Sequence, residues 1–383
     1  MAEFIPFARP DVGEDEAQAA ADAVRSGWLT SGPNMRAFED EFAAYLGGGV
    51  EAVAVTSATA GLHLALEAIG VGPGDEVIVP TWTFTATAEV VRYQGATPII
   101  VDVEPGSLNL SAEAVARAIT SRTRAVIPVH FAGLFADLPA LRAVIGARPI
   151  AIVEDAAHAL PTIGADGLVG ACAGTDAAVF SFYATKTMTT GEGGMLTTRD
   201  QKIAARARIM RLHGIDRDAF DRYHAKTPAW KYDVVAPGFK YNMTDIAASI
   251  GRVQLGRVEA MHERRQAIAE YYLRELDGLP LDLPPGPPAG QTHAWHLFVI
   301  GLAVTATLTR DDVIARLAQA GVGTSVHFIP LHQHSYWRSL VDDRASFPVA
   351  DAAFARVLSL PNHSGLTDGE AERVVAAARG VFA

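Results

Sequence analysis

Short runs that are apolar at nearly every position constrain the fold of this chain more than any other feature. They are Ala52–Val55, Glu76–Pro80, Thr97–Val103, Ala125–Phe131 and Ile150–Val153. A strand with one face in water alternates apolar and polar residues. A strand covered on both faces does not, and such strands belong to parallel sheets sandwiched between helices. Helix-like stretches fall between the runs: Ala58–Ile69, Thr85–Tyr93, Ser111–Ile119 with a serine cap, and Leu138–Ile145. Strand and helix in alternation predict an α/β architecture with a mostly parallel sheet.

After the strand-like segment Asp176–Phe182 the pattern changes. Gly191, Gly193 and Gly194 cluster before a further strand, Met195–Thr198, and a long amphipathic stretch follows from Ile246 to Leu276. The segment Leu279–Gly290 holds Pro280, Pro284, Pro285, Pro287 and Pro288, which excludes a helix or a central strand there. It reads as a domain connection. Beyond it come a strand (Trp295–Leu302), a helix capped by Thr309 with Asp312 three residues on, a strand (Gly323–Phe328) and a last helix (Asp368–Val381). The expectation is a large domain over 1–250, N-terminal segment included. The long helix and a smaller α+β domain would occupy 251–383.

The 383 residues are 49% hydrophobic, enough for a sizeable core. With 32 basic and 43 acidic residues the net charge is −11, which argues against a broad nucleic-acid-binding surface. The single cysteine, Cys172, excludes an internal disulfide framework and any multi-cysteine metal site. No apolar run reaches the ~18–20 residues that a membrane span needs. Met1–Pro10 has no basic region ahead of an apolar stretch. A soluble cytoplasmic protein is the expectation. Nucleotide-loop, nucleophile-elbow and HExxH metalloprotease motifs are absent. The pairs His293/His296 and His332/His334 lack a carboxylate or cysteine spaced to complete a metal set, so they read as packing or substrate contacts and no metal is expected.

Lysine usage is more informative. Only five lysines occur, Lys186, Lys202, Lys226, Lys231 and Lys240, against 27 arginines. A chain that solvates itself with arginine retains lysine for a reason. A neutral lysine amine can condense with a carbonyl to form a Schiff base, which arginine cannot. Lys186 lies between a strand and the glycine cluster, where a side chain can project into a cleft; the plain alternative is a solvated loop lysine. Asp155 ends the run Ile150–Val153, at the carboxyl end of a parallel strand where α/β proteins bind ligands. There it could hold a proton on a pyridine nitrogen or simply cap a following helix. Ser57-Ala58-Thr59-Ala60-Gly61 joins a strand to a helix and could offer backbone N–H groups to a phosphate, with the Ser181 hydroxyl in support. Phe84 could stack on a planar ring or pack in the core. Lysine, aspartate, phosphate cradle and aromatic platform are together the parts needed for pyridoxal phosphate.

The sequence resembles the DegT/StrS family of sugar-nucleotide aminotransferases, and within it the UDP-4-amino-4-deoxy-L-arabinose–oxoglutarate aminotransferase type. The matching stretches run in the family's order: FARPDVGEDE (Phe7–Glu16), SGWLTSGP (Ser26–Pro33), SATAGLH (Ser57–His63), GDEVIVPTWTF (Gly74–Phe84), EDAAHA (Glu154–Ala159), SFYATKTMTTGEGGM (Ser181–Met195), KYNMTDI (Lys240–Ile246), HAWHLF (His293–Phe298) and GTSVHF (Gly323–Phe328). The resemblance implies a fold-type I, aspartate-aminotransferase-like architecture and pyridoxal 5'-phosphate as cofactor. It implies Lys186 as the Schiff-base lysine and proton shuttle, Asp155 against the pyridine nitrogen and His158 against the cofactor. Thr59, Ala60 and Ser181 would hold the phosphate, Phe84 would stack where the similar type has tryptophan, and His327 would touch substrate. Asn242 would reach the phosphate of a neighbouring subunit, so a homodimer with shared sites is implied. Tyr183-Ala184-Thr185 departs from the similar type at positions that vary in the family. The implied partners are L-glutamate and a nucleotide-linked keto sugar, either a UDP-4-keto sugar or a 3-keto sugar. Relatives that dehydrate sugars carry histidine in place of the lysine, and a non-catalytic regulator would have lost Lys186 or Asp155.

Overall fold

The computed structural model describes residues 3–216, 231–342 and 344–382; of the lysines counted above, Lys226 lies outside them. Its strands, in chain order, are β1 (Glu51–Val55), β2 (Glu76–Pro80), β3 (Thr97–Val101), β4 (Thr123–Val126), β5 (Ala151–Asp155), β6 (Ile163–Gly164), β7 (Gly167–Leu168), β8 (Ala177–Ser181), β9 (Gly194–Thr198), β10 (Leu281–Asp282), β11 (Phe298–Leu302) and β12 (Val357–Leu360). Seven of them form the main sheet in the order β1-β9-β8-β5-β4-β2-β3. All its pairings are parallel except those of β9, which runs against both β1 and β8. Every residue of β2 and β9 is buried, as the unbroken apolar runs require for strands covered on both faces. Helices Ala58–Ile69, Ala86–Tyr93 and Gln201–Met210 build one apolar layer with the sheet. Ala112–Ala118 and Leu138–Ile145 build another around Ile78, Val126 and Ile152.

Local chemistry sets the helix starts. Ser57, Ser111, Asp137, Asp200 and Thr244 each accept a backbone N–H from the first turn of the helix that they precede. Thr309 and Asp312 make the expected capping box. At the other end of the first sheet helix, Gly70 closes Ala58–Ile69 at φ 84, a left-handed conformation suited to glycine.

The smaller sheet is β10-β11-β12, antiparallel throughout. One sequence expectation fails here. Gly323–Phe328 is not a strand; only isolated bridges, Ile5 to Val322 and Ser325 to Ser359, touch it, and the third strand is Val357–Leu360. The N-terminal segment touches both cores, with Phe7 packed against the large-domain cluster and Ile5 on the small domain. Ile5 is fully buried in the small-domain core beside Phe298, Val322 and Leu358, and it exchanges backbone hydrogen bonds with Gly321 and Gly323 at 2.9 and 2.8 Å. The 31-residue helix Asp245–Glu275 joins the two cores. Its first half packs Ala248, Leu255 and Val258 on the large domain, and its second half packs Ile268, Ala269 and Tyr272 on the small one. Both cores therefore share this helix.

Candidate active site

The carboxyl ends of β1, β5 and β8 open on a cavity of about 500 Å³ that the small domain closes with residues of the Trp295–Phe298 and His327–Phe328 segments. Thr59, Phe84, Asp155, His158, Ser181, Lys186 and His327 all line it. Ala60 and Asn242 do not.

Asp155 is the last residue of β5 and is 6% exposed. Thr87 Oγ1 donates to its Oδ2 at 2.8 Å, and the Ala157 N–H donates to its Oδ1 at 3.2 Å. Thr87 is held in turn by Thr83, oxygen to oxygen at 2.7 Å. Burial pushes the Asp155 carboxyl above its ordinary range, against the pull of these hydrogen bonds and of Lys186 and His130. A chain that turns straight after β5, with no helix to cap, removes the capping alternative.

Lys186 sits in the loop between β8 and β9. Burial lowers its ammonium from 10.5 to about 8, and Asp155 opposes that shift. Near neutral pH such a lysine has a substantial neutral fraction, as a nucleophilic amine requires. Lys186 is half-buried and lines the cavity, so it does not stand free in solvent as a surface loop lysine would. Gly194 serves close packing, not cofactor approach: a Cβ there would come within 2.7 Å of Ser57 C and 2.8 Å of Ala58 N. The glycine cluster thus seats β9 under the strand-to-helix turn.

In that turn Ser57 Oγ accepts the Ala60 N–H at 3.1 Å. Ala60 is 3% exposed and its amide is engaged, while Ala58 and Thr59 are the first-turn residues on the cavity wall. Ser181 ends β8 on the same wall, its Oγ accepting from the Tyr183 N–H at 3.3 Å. Phe84 is 60% exposed, which rules out core packing and leaves its ring free to cover a planar ligand.

Three imidazoles complete the wall. His158 and His296 lie 4.3 Å apart, centroid to centroid, and neither Nδ1 has a partner. Burial first, then neighbouring positive charge, pushes both well below the ordinary histidine range. His327 falls to about 4 for the same reasons, burial and the charge of Lys186, and its Nδ1 lies 3.0 Å from Ser359 Oγ. All three are neutral at pH 7. The histidine pairs therefore split by role. His296 faces the cavity, whereas His293 Nδ1 accepts the Trp295 N–H at 2.8 Å. His332 bridges Thr81 and Asp351 at 2.7 and 2.9 Å, while His334 is exposed. Among the described residues no group of side chains is arranged to hold a metal.

Asn242 lies outside its own chain's cavity. Its Oδ1 accepts Lys240 Nζ at 2.6 Å, its Nδ2 donates to Ser31 Oγ at 2.7 Å, and a bridge ties it to Val55 at the end of β1. Sequence reasoning missed Thr87, His296 as a wall residue, Arg265 and Asn362. Thr87 had no distinguishing signal. Arg265 could have been noticed only as a charged residue on the apolar stripe of the long helix. A second concavity, about 750 Å³, lies between Glu14–Arg25 and the long helix; its arginine, Arg252, is already committed to Glu41 and Asn34.

The model of the DegT/DnrJ/EryC1/StrS aminotransferase family matches residues 10–379. The chain belongs to that family. It is 41% identical over 381 residues to the spore coat polysaccharide biosynthesis protein SpsC of Bacillus subtilis (strain 168), covering 99% of this chain and 97% of that one. Among solved structures it is similar to the PMP form of the sugar aminotransferase Spr1654 of Streptococcus pneumoniae, at 33% identity with a TM-score of 0.90 and 99% of both chains covered. It is equally similar to DesV of S. venezuelae, described in complex with a ketimine intermediate, at 33% identity, TM-score 0.89 and complete coverage of both. An aminotransferase of this family is an enzyme. Its fold is that of the sugar aminotransferases, as the main sheet with one antiparallel strand already indicates. No helix among the described residues is long and apolar enough to cross a membrane.

Proposed function

We propose that this aminotransferase moves the amino group of L-glutamate to a nucleotide-linked keto sugar, a UDP-4-keto sugar by its resemblance to the arabinose type, within a homodimer whose sites are shared. The observation that carries the reading is a lowered-pKa lysine and a buried carboxylate on one cavity wall, beside a helix start with unused amides. The cofactor is pyridoxal 5'-phosphate. It supplies an aldehyde that takes up an amine and a ring that accepts an electron pair. The residues present fit it. Ala58, Thr59 and Ser181 offer phosphate donors at a helix N-terminus, Phe84 offers a flat face, and Asp155 offers a buried carboxylate held by Thr87 and the Ala157 N–H, with no salt bridge among the described residues.

The chain's own contribution follows from these placements. Asp155 favours a proton on any basic nitrogen set against it, because only that pairing offsets the burial of its charge. Thr83 and Thr87 fix the carboxylate plane. Lys186 Nζ, neutral in part at pH 7–8, could take the proton from the amino-bearing carbon of the donor and pass it on within that half of the exchange, and in the second half would deliver a proton to the sugar carbon that receives the amine. His158 packs in the wall nearly parallel to Phe328, at 23°, without adding charge, and His327 stands where a sugar hydroxyl can be met.

Asn242 supports the shared site by where it is not: outside its own cavity, in a polar loop at the end of β1. The relative SpsC, by its description, serves the synthesis of a polysaccharide, and an amino sugar nucleotide is a precursor suited to one. The assay that tests the substrate is amine transfer from L-glutamate to a panel of UDP-, GDP- and dTDP-linked 3- and 4-keto sugars. Transfer to the UDP-4-keto sugar in preference to the rest is expected. Preference for a 3-keto sugar, or release of water in place of amine transfer, would replace the reading.

A further inference from the structure

We infer that Arg265, with His296 beside it, is the carboxylate-binding end of the cavity and takes a carboxylate of the amino donor. The inference rests on the amino-donor reading above and adds a residue to it. Arg265 projects from the helix Asp245–Glu275, is 3% exposed, and lines the cavity. One arm of its guanidinium is fixed: Nη1 donates to the carbonyls of Asn362 at 2.5 Å and His296 at 3.3 Å. The Nε–H has no acceptor. Asp11, the carboxylate whose charge reaches it, is paired with Arg257 at 2.7 Å. Among the described residues Arg265 has no ion-pair partner of its own.

A buried charge without a counter-ion is costly, and proteins keep one chiefly where a ligand brings the missing charge. Burial lowers this guanidinium to about 10, so it stays charged at neutral pH. His296 lines the same cavity as Lys186 and Arg265. Its ring feels both Lys186 and Arg265, and its own Nδ1 is unpartnered. That one cavity can seat an amino acid whose amine meets Lys186 while a carboxylate meets the fork of Arg265. Arginine is the side chain that binds a carboxylate in two parallel hydrogen bonds. A phosphate of the sugar nucleotide offers the same charge, and the experiment separates the two sources.

The test uses the cofactor-loaded enzyme and glutarate, a dicarboxylate without an amine, titrated by calorimetry. Arg265→Gln is expected to weaken glutarate by on the order of 10–100-fold and to raise KM for L-glutamate similarly with kcat little changed. Arg265→Lys should recover part of the loss. Neither UDP nor inorganic phosphate should displace glutarate. Equal glutarate affinity in wild type and Arg265→Gln overturns the inference, as does displacement by phosphate or UDP. If Arg265→Gln fails to fold, a crystal structure of the wild-type enzyme with glutarate decides: a carboxylate within hydrogen-bond reach of the guanidinium supports the assignment, and a carboxylate elsewhere in the cavity refutes it. Failure of the donor reading looks different. There the wild-type enzyme itself produces no 2-oxoglutarate from L-glutamate and shows no change in cofactor absorbance.

Discussion

Replacing Asp155 by asparagine isolates charge from shape. The amide is nearly isosteric, its oxygen can still accept from the Ala157 N–H, and Thr87 can reverse its hydroxyl because Thr83 can serve as donor or acceptor. The charge-assisted bonds become neutral ones, a loss of about 1 kcal/mol. In return, the carboxylate no longer has to be ionised in a site where burial raises its pKa. A group whose folded pKa is raised costs stability above that pKa, so the substitution relieves a penalty at pH 7. The apoprotein should melt within ~3 °C of wild type, or above it. Activity should behave otherwise. Two opposite unit charges in contact in a partly screened site attract by about 4 kcal/mol, and each 1.36 kcal/mol is a factor of ten. The conversion of cofactor by L-glutamate should thus slow by about three orders of magnitude, read by stopped-flow absorbance with cofactor saturating. A folded, loaded Asp155→Asn enzyme that converts within tenfold of wild type would refute the role given to this carboxylate.

Borohydride reduction and peptide mapping should place the pyridoxyl group on Lys186; a label on Lys202, Lys231 or Lys240 would move the nucleophile. Lys186→Ala should bind cofactor and lose transamination. Glu16 is held at about 2: burial raises it, but hydrogen bonds from Gln254, the Gly13 N–H and Arg257 outweigh that. Its stabilisation is therefore complete above pH ~4.5 and fades as pH falls towards 2, so Glu16→Gln should lower Tm at pH 7 and narrow the gap to wild type near pH 3. Mixing inactive Lys186→Ala with inactive Asn242→Asp should restore up to about one quarter of wild-type activity, because half the dimers gain one intact site. No recovery despite proven subunit exchange would place Asn242 within its own subunit's function or outside function.

Elements bounded by strong local chemistry were legible in the sequence. Ala58–Ile69, Glu76–Pro80 and Leu138–Ile145 match residue for residue because serine or aspartate caps and glycine or proline stops flank uniform apolar runs. The run Ala125–Phe131 reads as a strand throughout, yet β4 ends at Val126, since its apolar character continues into a short 3-10 turn at Phe131–Gly133. Hydrophobicity reports burial there, not conformation. Gly323–Phe328 was misread for a different reason, since none of its residues is fully buried. The partner it needed, the N-terminal Ile5, is more than 300 residues away, and no periodicity records so distant a pairing. Within the site, the strand ends at Asp155 and Ser181 and the loop position of Lys186 were enough to expect all three on one cavity wall. Which first-turn amide stays free was not legible, because that depends on the rotamer of Ser57.

Charge placement unites these observations. The cavity wall holds two cations, Lys186 and Arg265, and one fully enclosed carboxylate, Asp155. The three imidazoles on that wall are kept neutral by burial and by those same cations. Were any imidazole protonated, it would compete with Lys186 for the carboxylate field and lower the amine further. Neutral imidazoles instead leave the positive charge concentrated at two points, where an amino acid presents its reacting carbon and its carboxylate. The large domain supplies Lys186 and Asp155 from strand ends, and the long helix supplies Arg265 from the half that packs on the small domain. The distance between amine and guanidinium is therefore set by how the two cores seat on one helix. A substitution in that seat, such as a smaller residue at Ile268, should alter KM for the donor while leaving the carboxylate–threonine contacts at Asp155 untouched.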